Sequence, residues 1–264
     1  MTPFHAVVLG LVQGATEFLP VSSSGHLILV PRLLGWPDQG LAFDAAIHLG
    51  TVLALLIYFA EELRRLGKGV VARRPADCRL AAGVLLGSIP AGLAGLAFKH
   101  VIETRLRSVT VVAASTIFWA LVLWWADQRA ARNRVHDLRE VGIGRALVVG
   151  LAQPLALIPG TSRSGITLSA GLFSGLDRST AARFAFLVGL PITVAAGLLE
   201  ATAVVRGGLT GVGLGVAALG VATSFVAGFA AIRFLVSYLQ RRTLLVFVAY
   251  RVVLGLLLLW LGRG

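Results

Sequence analysis

The sequence predicts an all-α membrane protein of six transmembrane helices and two re-entrant helical hairpins, arranged as an inverted-topology repeat. Three observations predict it. Apolar residues make up 57% of the 264 residues and charged residues only 14%, against about 25% charged in a soluble domain. Mean hydropathy is +0.86. Apolar runs of spanning length recur along the chain, and two further runs break at polar tips. A water-soluble globule is excluded.

The elements follow in order. Residues 4–35 are apolar but hold Gln13, Glu17, Pro20, the run Ser22-Ser23-Ser24-Gly25-His26 and Pro31. Such a segment is too polar in its middle to cross lipid as one helix, yet long enough for two half-helices joined at the polar tip. Spans are then expected at about 43–60, 80–98 and 109–126, since a spanning helix needs roughly 20 mostly apolar residues. Residues 146–175 form the second broken run, with Gln153, Pro154, Pro159, Gly160 and Thr161-Ser162-Arg163-Ser164-Gly165. Spans at about 184–205, 211–236 and 244–262 complete the chain. Non-helical backbone at membrane depth survives only inside protein or against water, so both tips line an interior or a cavity. Met1 to Leu11 lacks a basic leader region and reads as a retained segment.

The two broken runs resemble each other. At a constant offset of 140, Ala6, Val8, Gly10, Leu11, Gln13, Ser22, Ser24, Gly25 and Gly35 recur as Ala146, Val148, Gly150, Leu151, Gln153, Ser162, Ser164, Gly165 and Gly175. A hairpin followed by three spans is an odd-span unit, so consecutive copies, about 4–126 and 144–262 of one membrane domain, have opposite orientations. Matching interrupted segments in two halves point to a binding site near the midplane.

The net charge is +12, but the basic residues cluster in short connectors, which the positive-inside rule explains better than nucleic-acid binding. Arg64, Arg65, Lys68, Arg73, Arg74 and Arg79 share one connector; Arg129, Arg132, Arg134, Arg139 and Arg145 share another; Arg233, Arg241 and Arg242 surround a third. All three are expected in the cytoplasm, the loop of Lys99, Glu103, Arg105 and Arg107 being a mild exception. One cysteine, Cys78, excludes an intrachain disulfide. The Gly-rich stretch 207–220 suits close packing within the chain or against a second copy in a homodimer.

Each tip sets Ser and Gly before an apolar segment, as a capped helix N-terminus with open N–H groups does. Arg163 adds a planar donor fork suited to phosphate oxygens, and an arginine within the membrane is functional by default. Gln13 and Glu17 share a helix face, and Glu17 calls for a partner, either a divalent cation or Arg163 itself. His26 is a candidate base or nucleophile, and Ser22, Ser23 and Ser24 offer hydroxyls that bond phosphate, attack it or only cap backbone. The set suits phosphoryl transfer, which is mostly positioning and charge stabilisation. Asp44 and Glu200 lie near span ends, where capping or snorkelling accounts for them; His48 is deeper. Trp119, Trp124, Trp125 and Trp260 fit an interfacial belt. A transporter or flippase of a lipid phosphate is the rival reading, because inverted repeats with midplane tips are transporter architecture.

The stretch Gly10 to His26, with Gln13-x-x-x-Glu17 and Leu19-Pro20-Val21-Ser22-Ser23-Ser24-Gly25-His26, resembles the first motif of the bacterial undecaprenyl-diphosphate phosphatases of the bacitracin-resistance type. Pro159-Gly160-Thr161-Ser162-Arg163-Ser164-Gly165-Ile166-Thr167 resembles their second motif, and Phe43 to Thr51 and Phe184 to Pro191 are similar too. The resemblance covers essentially the whole chain. It implies hydrolysis of undecaprenyl diphosphate to the monophosphate in the bacterial plasma (inner) membrane, with the site opening to the periplasmic or extracellular side. It also implies a divalent cation, Mg²⁺ or Ca²⁺. On the rival reading the resemblance makes the lipid carried by the transporter or flippase a polyprenyl phosphate. By position, Glu17 and Gln13 enter the metal and acid–base cluster. Arg163 enters the diphosphate clamp, with Ser162 and Thr167 beside it. The tip residues Ser22, Ser24, Gly25, Ser164 and Gly165 would bind substrate. His26 and Ser23 are rival nucleophiles, with an activated water as the third choice. Gln13 stands where some members have Glu, so the base role falls to Glu17 or His26; His48 stands where members often have Gln.

Overall fold

The computed structural model describes residues 1–105, 108–132, 135–207 and 212–261. Within them the chain is a bundle of α-helices: α1 (Pro3–Phe18), α2 (Ser23–Leu34), α3 (Leu41–Tyr58), α4 (Ala60–Val71), α5 (Pro75–Arg105), α6 (Val109–Arg129), α7 (Ile143–Ala152), α8 (Arg163–Phe173), α9 (Arg178–Gly207), α10 (Leu214–Tyr238) and α11 (Leu245–Leu261). The calls on Arg107, Arg134 and residues 208–211, and on the side chains of Lys99, Glu103, Arg105 and Glu200, lie outside the described residues.

Both broken runs fold as pairs of short helices. Thr2 caps α1 by accepting the His5 N–H, and Pro3 occupies the first turn, where its missing donor costs nothing. The helix stops at Phe18 because Leu19 precedes Pro20 and is driven to extended backbone. At about 1.5 Å per residue, α1 spans about 24 Å and α2 about 18 Å, both short of a hydrocarbon core of about 30 Å. Pro31 does not break α2: it sits in the last turns, and the helix ends at Gly35 with φ 65°. In the second run α7 tightens at Gln153 into a 3₁₀ turn through Leu157, where Pro154 offers no N–H. The chain turns at Gly160 and enters α8 at Arg163. Gly160 has φ 91° and lies against the α6 backbone, so no side chain fits there.

Among the described residues four helices hold apolar stretches long enough to cross a bilayer alone: Pro75–Phe98 of α5, α6, Arg178–Leu199 of α9, and α10. The runs at 43–60 and 244–262 take other forms. α3 bends by 57° into the polar α4, and α11 has 17 residues.

The packing is interleaved. α1 lies along α10, with Gly10 against Thr223 and the Gly220 carbonyl. α7 lies along α5, with Gly150 directly on Gly87. A methyl at either glycine would collide with backbone. Gly10 and Gly150 are offset by 140, so each broken run seats its opening helix on a long helix from the other half of the chain.

The basic connectors converge at one end. Asp127 accepts from Arg178 Nε (2.5 Å) and from the Leu244 N–H (3.0 Å), Arg139 reaches the buried Asp77 (3.1 Å), and Arg183 reaches Glu62 (2.5 Å). Asp44 lies in the first turn of α3 and accepts from Gln39 at 2.8 Å, a role at a helix end. Trp124, Trp125 and Trp260 are exposed, and Arg129 lies over the Trp125 ring at 4.7 Å.

Candidate active site

The turns between α1 and α2 and between α7 and α8 come together. Ser22 and Ser162, the N-caps of α2 and α8, both take a left-handed φ, 74° and 70°. For a residue with a side chain that conformation is held only where surroundings over-determine it, and such strain clusters at functional sites. Ser164 Oγ donates to the Leu19 carbonyl at 3.0 Å, tying the second turn to the first.

Glu17 is the centre of the cluster. It lies in the last turn of α1, and its Oε1 receives Arg163 Nη2 at 2.7 Å. Its Oε2 receives the Ser23 hydroxyl at 2.8 Å and Gln13 Nε2 at 3.2 Å. His48 Nε2 lies 3.9 Å from Oε1. Ser23 and Arg163 are the first residues of α2 and α8, so equivalent first turns grip the two oxygens of one carboxylate. The second Arg163 nitrogen donates to Thr193, whose hydroxyl donates onward to the Gly189 carbonyl at 2.6 Å. Arg163 is thereby aimed from two sides. A small cleft opens beside the pair, lined by Glu17, Phe18, Arg163, Thr167, Phe186 and Thr193.

Other expected site residues hold the turns in shape. Ser162 caps α8 through the Gly165 N–H (3.2 Å) and bonds Ser164 (3.1 Å). Thr167 donates back to the Arg163 carbonyl at 2.7 Å. Ser22 is buried and bonds the exposed Ser24 at 3.3 Å. Gly25 and Gly165 are buried in their first turns.

His26 is turned elsewhere. Its Nδ1 bonds the Ser22 carbonyl at 2.7 Å and its Nε2 the Tyr250 hydroxyl at 2.6 Å. A carbonyl only accepts, so Nδ1 is assigned the proton, and a neutral ring accepts from Tyr250 at Nε2. Both nitrogens are occupied.

Three contributors were not singled out from sequence: Thr193, Tyr250 and Arg251. Arg251 is 0% exposed, on α11. An arginine within the run 244–262 was itself the signal, as any ionisable residue at membrane depth is.

Glu17 and Gln13 supply one carboxylate and one amide oxygen, and among the described residues no three His, Cys, Asp or Glu side chains gather as a metal site. Magnesium is commonly bound through one or two carboxylates plus substrate phosphates, and this donor set fits that mode.

Fold and site together define a class: a multi-pass, all-helical membrane protein with an Arg–Glu–Ser cluster enclosed between two serine turns. Residues 6–257 match the family model described as "Bacitracin resistance protein BacA", and the chain belongs to that family. It is 48% identical over 270 residues to "Undecaprenyl-diphosphatase 2" of Stutzerimonas stutzeri, covering 100% of both chains. It is 47% identical to the "Undecaprenyl-diphosphatase" of Thioalkalivibrio sulfidiphilus, covering 99% of each. With the protein of that name from Chromohalobacter salexigens it shares 45% identity, covering 97% of each.

Proposed function

We propose that this chain hydrolyses undecaprenyl diphosphate to undecaprenyl phosphate and inorganic phosphate, recycling the lipid carrier of cell-wall synthesis. Full-length similarity to undecaprenyl-diphosphatases supports the reaction. The observation that carries the chemistry is Ser23 donating to a carboxylate whose other oxygen is held by Arg163. In this reading the Ser23 oxygen attacks the terminal phosphorus, its proton passes to Glu17 Oε2, and undecaprenyl phosphate leaves. Arg163, steered by Thr193, exchanges Glu17 for phosphoryl oxygens as the diphosphate enters, which frees the carboxylate to take the proton. A water then hydrolyses the phosphoserine. A nucleophile hydrogen-bonded to its base favours Ser23 over His26. Glu17 and Gln13 would hold a divalent cation, Mg²⁺ or Ca²⁺, which supplies charge neutralisation on the diphosphate.

The reading includes six spans, two re-entrant hairpins and an inverted repeat, supported by the short helix pairs and the interleaved packing. The gathered basic connectors belong in the cytoplasm and the site opens to the periplasm of the inner membrane. Cys78 sits among those connectors, so an impermeant maleimide should label it only after cells are permeabilised. Labelling of intact cells would reverse the orientation.

The activity test is phosphate release from a polyprenyl diphosphate by purified protein in detergent with Mg²⁺. Chelation should stop it and excess cation restore it. Without a compartment, transport yields no signal, so absent release would leave the transporter reading standing.

A further inference from the structure

We propose that Arg251 is a positioning residue that fixes the distance between the two catalytic turns, a role resting on the hydrolase reading above. Its side chain is wholly buried, yet among the described residues no carboxylate pairs with it. Every hydrogen bond it makes there goes to a backbone carbonyl. Nε donates to Thr116 (3.2 Å), Nη1 to Pro20 (3.4 Å), and Nη2 to Gly160 and Thr161, both at 2.9 Å. Pro20 and Gly160 are offset by 140. One guanidinium therefore holds the same carbonyl of both turns, two residues before each strained serine, and anchors them to α6 through Thr116.

That arrangement answers a physical need. Ser22 and Ser162 hold left-handed φ that relaxes unless the turns are pinned. Ser23 and Arg163 follow at once, and both must meet Glu17. Among the described residues the other direct ties are the Ser164 hydroxyl on the Leu19 carbonyl and the Arg163–Glu17 pair, which is itself the contact to be positioned. Arginine suits the task because its planar fork serves several carbonyls in fixed directions, which an ammonium does not. Gly165 belongs to the same device: a methyl there would come within 2.8 Å of Arg251 Nη1.

The test uses the full chain in detergent with a polyprenyl diphosphate. A misplacement of about 1 Å costs about 100-fold, so Arg251→Gln should lower kcat by about that factor and Arg251→Lys by about tenfold. KM should stay within about threefold, because loosened geometry is lost in the transition state rather than in binding. Gly165→Ala should lower kcat by displacing the guanidinium. Its loss should combine with that of Arg251→Lys to less than the product of the two, since both act through one contact. Wild-type kcat in Arg251→Gln, or fully multiplicative losses, would overturn the role. A second readout needs neither turnover nor Arg251→Gln at full stability. In a Cys78→Ala background, Leu19→Cys with Ser164→Cys should oxidise to a disulfide, and more slowly once Arg251→Lys is added. Equal rates would overturn the proposal even if the parent releases no phosphate, an outcome that would separately refute the hydrolase reading.

Discussion

Residues 17–26 and 157–166 follow the same course, each leaving a helix, turning through a serine of positive φ and entering a new helix at the next residue. Their side chains diverge. Where the first turn has Glu17, Ser23 and His26, the second has Leu157, Arg163 and Ile166 at the matching offset of 140. The shared backbone course supplies two helix starts, only the second closed by a side-chain cap bond, and the polar groups are divided between them. Acid, hydroxyl and imidazole sit on one turn and the permanent cation on the other. In the proposed reaction neither turn suffices alone, and their contact makes the candidate site.

The division can be broken at several strengths. Removing the cation should do most: Arg163→Ala should cut phosphate release by at least about 10³-fold, in line with arginines that stabilise phosphoryl transfer. Arg163→Lys should recover little, because Thr193 and Glu17 are served by two nitrogens of one fork. On the first turn, Glu17→Gln should cost about 10²–10³-fold by removing the base. Ser23→Ala should cost at least as much, and its retention of most activity would move the nucleophile to water. Tyr250→Phe comes next. It removes one neutral hydrogen bond, worth about 0.5–1.5 kcal/mol, so kcat should fall by no more than about tenfold. A collapse matching that of Ser23→Ala would return His26 to the centre of the chemistry.

The smallest effect compares the two caps. Ser162 Oγ accepts the Gly165 N–H, whereas Ser22 makes no such bond. Ser162→Ala should therefore lower thermal stability in detergent by about 1 kcal/mol, and Ser22→Ala by clearly less. Equal losses would mean that the two serines serve the same purpose.

The site was legible wherever a polar side chain interrupts an apolar run. Glu17 and Arg163 stood out because charge at membrane depth demands a partner, and the structure joins them across 146 positions of sequence. The turns stood out because Ser, Gly and Pro cannot continue a lipid-facing helix. Arg251 carried the same signal of charge within an apolar run, but its partners were hidden for a physical reason: they are peptide carbonyls, which every residue carries and no motif marks. Tyr250 was hidden because a tyrosine in a span usually reads as an interfacial anchor. Thr193 looks like any hydroxyl bonded back to its own helix, as its contact with the Gly189 carbonyl shows. The bend after Tyr58 was equally silent, since the run 43–60 stays apolar through Phe59.

The crossing of α1 onto α10 and α7 onto α5 has a consequence for how the molecule is built. A chain severed between α6 and α7 would yield two fragments, each missing the seat for its own first helix and holding the seat for its sibling's. Made separately, neither should survive cellular quality control; made together, they should rescue one another and regain turnover.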